Sequence, residues 1–242
     1  MEFDQFLSHL RSEGAAAVDL AGGDLEATIP CCPGWSVRDV ACHLAQVYEH
    51  KIACTELGVD PSPWPPDWPT GPDLAGWLGD AHLRLLALME QLGPSAPSAT
   101  WYPPDQTVGF WARRMAHETA VHRVDLQMAL GCLEPVPGEL AVDGVDEILT
   151  VILAGDWSAA RDDHCRGQRV LVSTAGRDWL VTLAEDSITV SAATGKADAV
   201  LQGDPSDLVL WLWGRRGDEG LVPPASRDVL ALLRGRLQLA TQ

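Results

Sequence analysis

The sequence is poor in cations: 17 Lys+Arg stand against 34 Asp+Glu, for a formal net charge of −17. That excess of acid repels phosphate backbones and makes nucleic acid an unsuitable partner. Long apolar runs are missing too. The richest stretch, residues 208–213, falls far short of the ~20 residues needed to span a bilayer, so no membrane partner is expected. The opening residues, MEFDQFLSHLRSE, lack the basic start and apolar core of a signal peptide. The six cysteines, Cys31, Cys32, Cys42, Cys54, Cys132 and Cys165, contain no CxxC spacing, which excludes a zinc ribbon and a thioredoxin-type pair. With no export signal they are expected as reduced thiols in a cytoplasm. No GxGxxG follows a strand, and neither a Walker loop nor a GxSxG elbow occurs. Phe and Tyr are scarce, yet ten tryptophans are present, enough to fill cores and to line a pocket for an organic ligand.

What remains is an ordinary globular balance, 46% hydrophobic and 21% charged, which excludes disorder. The first two thirds read as helices. Phe3, Phe6, Leu7 and Leu10 have helical spacing, and Gly22 and Gly23 stop that helix. Ser36 is a good N-cap, with Asp39 three positions on, and Val37, Val40, His43, Leu44, Val47 and Ile52 then recur along one face. Helices are also expected over residues 73–92, 107–130 and 140–154. Residues 60–72 hold six prolines and two tryptophans and must form a stiff aromatic loop. After Arg161 the period changes to short β-branched runs at residues 169–174, 179–183 and 187–191, with a fourth at 198–203 and helices at 204–213 and 226–239. The expectation is an α+β protein: a helical-bundle domain over 1–158 and a small α+β domain over 159–242.

The chemistry concentrates in residues 113–125, RRMAHETAVHRVD. His117 and His122 are about 140° apart on a helix and cannot share a metal, whereas Glu118 and His122, four residues apart, lie on one face. A carboxylate–imidazole pair needs a third ligand from elsewhere. His43, among apolar neighbours on the second helix, is the best candidate, giving a His₂Glu set of a kind that helical bundles hold on facing helices. The plainer alternatives are a hydrogen-bonded core His43 and an exposed Glu118–His122 pair. His50 and His82 are spare histidines, His117 is read as packing, and Asp125 either orients a ligand imidazole or pairs with Arg123. Arg215 and Arg216 either stabilise a helix end or bind an anionic substrate.

Residues 32–40, CPGWSVRDV, leading to His43-Leu44-Ala45, resemble the second-helix signature of the mycothiol-dependent maleylpyruvate isomerase family. Residues 114–125, RMAHETAVHRVD, resemble its fourth-helix signature, and residues 197–203 with 207–215 resemble its C-terminal domain. The resemblance implies a DinB-like four-helix bundle with a small sterol-carrier-like α/β domain. It also implies zinc, or another divalent metal, on His43, Glu118 and His122, with mycothiol as the thiol cofactor and a catalytic arginine for which Arg215 or Arg216 is the nearest match. The implied chemistry is addition of a metal-activated thiolate to a small unsaturated oxo acid, as in maleylpyruvate cis–trans isomerisation, or S-transfer of a low-molecular-weight thiol. A zinc hydrolase using bound water and a non-catalytic small-molecule-binding module are the rival readings.

Overall fold

The computed structural model describes residues 1–64, 73–192 and 195–241, so most of the proline-rich loop expected over 60–72 lies outside the described residues. The chain divides into two compact units, Met1–Glu134 and Pro135–Gln242.

The first unit is built on four helices: α1 (Phe3–Leu20), α2 (Val37–Leu57), α3 (Leu74–Leu92) and α4 (Val108–Leu130). Each of the last three starts on a side-chain cap from Ser36, Asp73 or Thr107, and α2 and α4 stop at left-handed Gly58 and Gly131. Helix α1 packs on α4 and α3, and α2 packs on α3 and α4, burying Leu10, Leu44, Leu78, Leu85, Met115 and Leu126 between them. Tyr48 of α2 and Thr119 of α4 share a buried hydrogen bond of 2.6 Å, which fixes the register of the two helices that matter most below. His82 Nε2 donates to the Leu10 carbonyl, 2.9 Å away, and its ring occupies the space where a Cβ at Gly14 would come within 2.2 Å.

Ser36 and Asp39 form a full capping box, in which the Asp39 carboxylate accepts from the Ser36 backbone N–H at 2.8 Å and from its hydroxyl at 2.6 Å. These bonds hold the Asp39 carboxyl below the usual aspartate range. Ser36→Ala is expected to cost about 1 kcal/mol in denaturant unfolding. Because the folded carboxyl is the stronger acid, its contribution is complete above the ordinary value of about 3.9 and is lost as the pH falls through the depressed one. The variant should therefore differ least from the native chain at the acid end of a stability–pH curve.

The second unit begins with α5 (Gly138–Glu147), which widens into a π-helical stretch over Ile148–Leu153. Five strands follow: β1 (Gly155–Asp156), β2 (Gln168–Thr174), β3 (Arg177–Leu183), β4 (Ser187–Ala192) and β5 (Ala199–Gln202), with α6 (Pro205–Leu212) and α7 (Arg227–Ala240) after them. The sheet order is β1-β4-β3-β2-β5, antiparallel except for β2–β5. Ala175 and Gly176, both at positive φ, make the two-residue turn between β2 and β3. The expected division at 158/159 follows the change of periodicity, whereas the compact units part at Glu134/Pro135. The difference is α5, whose apolar face (Leu140, Ala141, Val145) is covered by α6 of the sheet unit. Among the described residues no helix is long and apolar enough to cross a membrane.

Candidate metal centre

Helices α2 and α4 bring His43, Glu118 and His122 together within the first unit. Glu118 Oε1 lies 3.2 Å from His43 Nε2 and 3.3 Å from His122 Nε2, and the three donor atoms lie within 4.8 Å of one another. The two imidazoles meet edge to face, 4.9 Å between centroids. Helical spacing explains half of this, since residues four apart on α4 share a face. The other half comes from the Tyr48–Thr119 bond, which sets α2 against α4 beside Glu118.

The groups behind the donors are as specific as the donors. Asp125 is fully buried, and its Oδ2 accepts from His122 Nδ1 at 2.9 Å, which leaves Nε2 turned toward Glu118. Its other oxygen accepts from the Cys31 thiol at 3.1 Å. Arg114, one turn before Glu118, donates to Oε2 at 2.6 Å, so one oxygen of Glu118 is held by the guanidinium and the other faces the imidazoles. The Trp35 ring stands 5.4 Å from His43, edge on. Exposure falls from 34% for the His43 side chain to 17% for Glu118 and 10% for His122, so the cluster opens to solvent on the His43 side.

Charge follows from this packing. Burial pushes the Glu118 carboxyl up, but Arg114 and the hydrogen bonds from His122 and His43 outweigh it and hold it well below the ordinary range. Burial favours neutral His122, yet bonds to Asp125 and Glu118 and their charges prevail, raising its pKa to about 9. The Cys31 thiol is pushed far upward by its bond to Cys32, by burial and by Asp125, so it stays protonated. Two carboxylates around one imidazole make a site that selects for positive charge.

The remaining histidines lie elsewhere. His117 is buried with its ring 6.1 Å from Phe6, as expected of a packing residue, and His82 binds the Leu10 carbonyl. Arg215 and Arg216 belong to the second unit, where Arg215 donates to the Trp213 carbonyl at 2.8 Å and Arg216 pairs with Asp207 at 2.8 Å. Sequence reasoning missed Arg114, although its four-residue spacing from Glu118 was there to read. It also missed Cys31 as a partner of Asp125, for which a loop residue carries no periodic signal. Other clusters with ligand-type atoms among the described residues are Cys31–Cys32–Asp125, His50–Cys54–Asp60 and Asp162–Asp163–His164.

A capped four-helix bundle with an inward histidine–glutamate–histidine cluster, followed by a small α+β unit, defines a class of helical-bundle protein of the DinB-like type. Residues 7–127 match the mycothiol maleylpyruvate isomerase N-terminal domain, and residues 139–233 match the C-terminal domain of the same family. The chain belongs to the mycothiol-dependent maleylpyruvate isomerase family. Two solved structures share its fold: a mycothiol-dependent maleylpyruvate isomerase, at TM-score 0.58, and a histidine-to-alanine mutant of such an enzyme, at 0.57. Each is 14% identical in sequence, and each alignment covers 93% of this chain and 94% of the other. None of the curated proteins matches the sequence.

Proposed function

We propose that the protein is a zinc- and mycothiol-dependent enzyme that isomerises a small unsaturated oxo acid, with maleylpyruvate as the type substrate. The observation that carries this reading is the convergence of His43 Nε2, Glu118 Oε1 and His122 Nε2 in one cluster open on a single side. Two imidazole nitrogens and one carboxylate oxygen fit a divalent ion with a further position for a small ligand. The donor chemistry agrees with the charge found around it, because surroundings that stabilise a proton on His122 also favour a dication there.

A zinc ion, which His43, Glu118 and His122 would hold, would supply the Lewis acidity that makes a thiol more acidic. Mycothiol, when bound, supplies the sulfur nucleophile for a double bond conjugated with a carbonyl. The residues of the chain do the rest by position. Asp125 fixes the tautomer and aim of His122, Arg114 keeps Glu118 ionised, and Trp35 shields one flank of His43 from water. For the arginine that the family resemblance implies as the holder of a substrate carboxylate, Arg215 or Arg216 is proposed.

The test uses the full chain, purified without chelating steps and analysed for metal, with maleylpyruvate followed optically in the presence and absence of mycothiol. Turnover to the trans isomer that requires both zinc and the thiol is the expected result. Turnover that proceeds equally without the thiol would replace this reading with a zinc hydrolase or another water-using enzyme. Protein that binds no metal at all would leave only the binding-module reading.

A further inference from the structure

Helix α2 continues for more than two turns past His43, and its flank carries Gln46, Val47, His50 and Lys51. With His43 and Trp64 these residues line a groove of about 290 Å³. That volume suits a molecule of a few carbon atoms rather than a nucleotide. Trp64 and Val47 give it apolar wall, and the Trp64 ring stands 4.9 Å from His50.

Lys51 is the unusual member of that lining. The chain has only two lysines, Lys51 and Lys196, among its 17 cationic side chains. Lys196 is exposed in the ordinary way, whereas Lys51 is half-buried, with its ammonium 4.4 Å from the centre of the buried Trp111 ring. Its nitrogen lies 3.0 Å from His50 Nδ1, and His50 Nε2 lies 3.1 Å from Asp60. The ammonium can only donate, so His50 accepts at Nδ1 and donates from Nε2, which makes it the neutral tautomer. Among the described residues Lys51 forms no ion pair with a carboxylate. Burial lowers its pKa, with Glu118 pulling it up and Arg114 pushing it down, so the charge lies within the field of the metal-centre residues. Side chains on a helix lean toward its N-terminus, which on α2 is the direction of His43. The cation–π contact accounts for the ammonium standing over Trp111 but gives no reason for it to line a groove that begins at a candidate ligand.

We infer that Lys51 is the anion-binding residue of this groove, receiving a carboxylate of a small organic dicarboxylate or oxo acid whose reacting part lies toward His43. The inference rests on the proposed function for the direction in which the molecule lies, and the binding itself is measured without turnover. A single charge-assisted contact of this kind accounts for roughly tenfold in affinity.

The experiment is equilibrium titration of the zinc-supplemented full chain with maleate, followed by tryptophan fluorescence, on the native protein and on Lys51→Met, Lys51→Arg and Lys196→Met. Lys51→Met should raise the Kd for maleate about tenfold or more, and Lys51→Arg should restore it to within about threefold. Lys196→Met, which removes the same charge elsewhere, should bind as the native chain does. Uncharged dimethyl maleate should bind native protein and Lys51→Met alike. Equal zinc content and equal far-UV circular dichroism among the variants separate loss of the contact from loss of the fold. If Lys51→Met distorts the groove, the Lys51→Arg and dimethyl maleate comparisons still decide. Maleate binding that ignores Lys51→Met, or native protein that does not bind maleate, would overturn the inference. Lys51-dependent binding in a protein that fails to isomerise maleylpyruvate would sink the proposed function and leave the anion site standing. Isomerisation with a KM unchanged in Lys51→Met would do the reverse.

Discussion

A His43→Ala chain is expected to lose its zinc and its turnover while keeping its helices. The native protein should carry close to one zinc per chain, and the variant less than about 0.2 after dialysis, because two donors from a single helix rarely retain the ion. The fold should survive because the His43 side chain is one-third exposed and its polar partner Glu118 keeps Arg114 and His122. Metal analysis together with a thermal melt checks both halves. Full occupancy in the variant would refute the assignment of His43 as a ligand. Asp125→Asn should show the graded form of the same effect, weakening zinc binding by about 10–100-fold through the loosened aim of His122. His122→Ala makes a poorer test, since it removes a buried partner from Asp125 as well as a donor.

The largest stability loss is expected from Arg123→Met. Arg123 is buried on α4, and its Nε donates to the equally buried Glu13 of α1 at 2.8 Å. Its Nη1 donates to Gln127 and to the Glu134 carbonyl, and Gln127 in turn accepts from the Glu134 backbone N–H at 3.0 Å. One guanidinium therefore ties two packed helices to the last residue of the first unit. Removing it leaves the Glu13 carboxylate buried without its counter-charge, a defect that costs about 3–5 kcal/mol. Denaturant unfolding of the helical unit measures it. The double variant Glu13→Leu with Arg123→Met should regain much of the loss, since replacing both partners removes the stranded charge. A single variant that unfolds within about 1 kcal/mol of the native chain would show that Glu13 escapes to solvent, against its burial in the structure.

The helices were legible because their signals are local. Ser36 and Asp39, Thr107 and Gly131 mark their ends chemically; α2 begins directly after its expected cap, and α4 begins and stops within a residue of the expected positions. The strands were legible in type, with β2, β3 and β4 close to the β-branched runs that suggested them. Strand β1 was not, because Gly155 and Asp156 carry no strand preference and owe their state to pairing with Ile188 and Ser187. The fate of α5 was equally hidden: its period announces a helix, but whether Leu140 and Val145 face other helices or α6 depends on packing alone. In the candidate centre, spacing brought Glu118 and His122 onto one face, and the apolar neighbours of His43 suggested that it points inward. The Cys31–Asp125 bond and the burial of Lys51 depend on a loop and on Trp111, residues far away in sequence, and no spacing rule reaches them.

His43, Glu118, His122, Asp125 and Arg114 all precede Glu134, where the first unit ends. A substitution anywhere in the sheet unit thus removes none of the donor atoms or the groups that aim them. The whole candidate constellation is therefore encoded in one continuous stretch of chain that folds as a single compact unit.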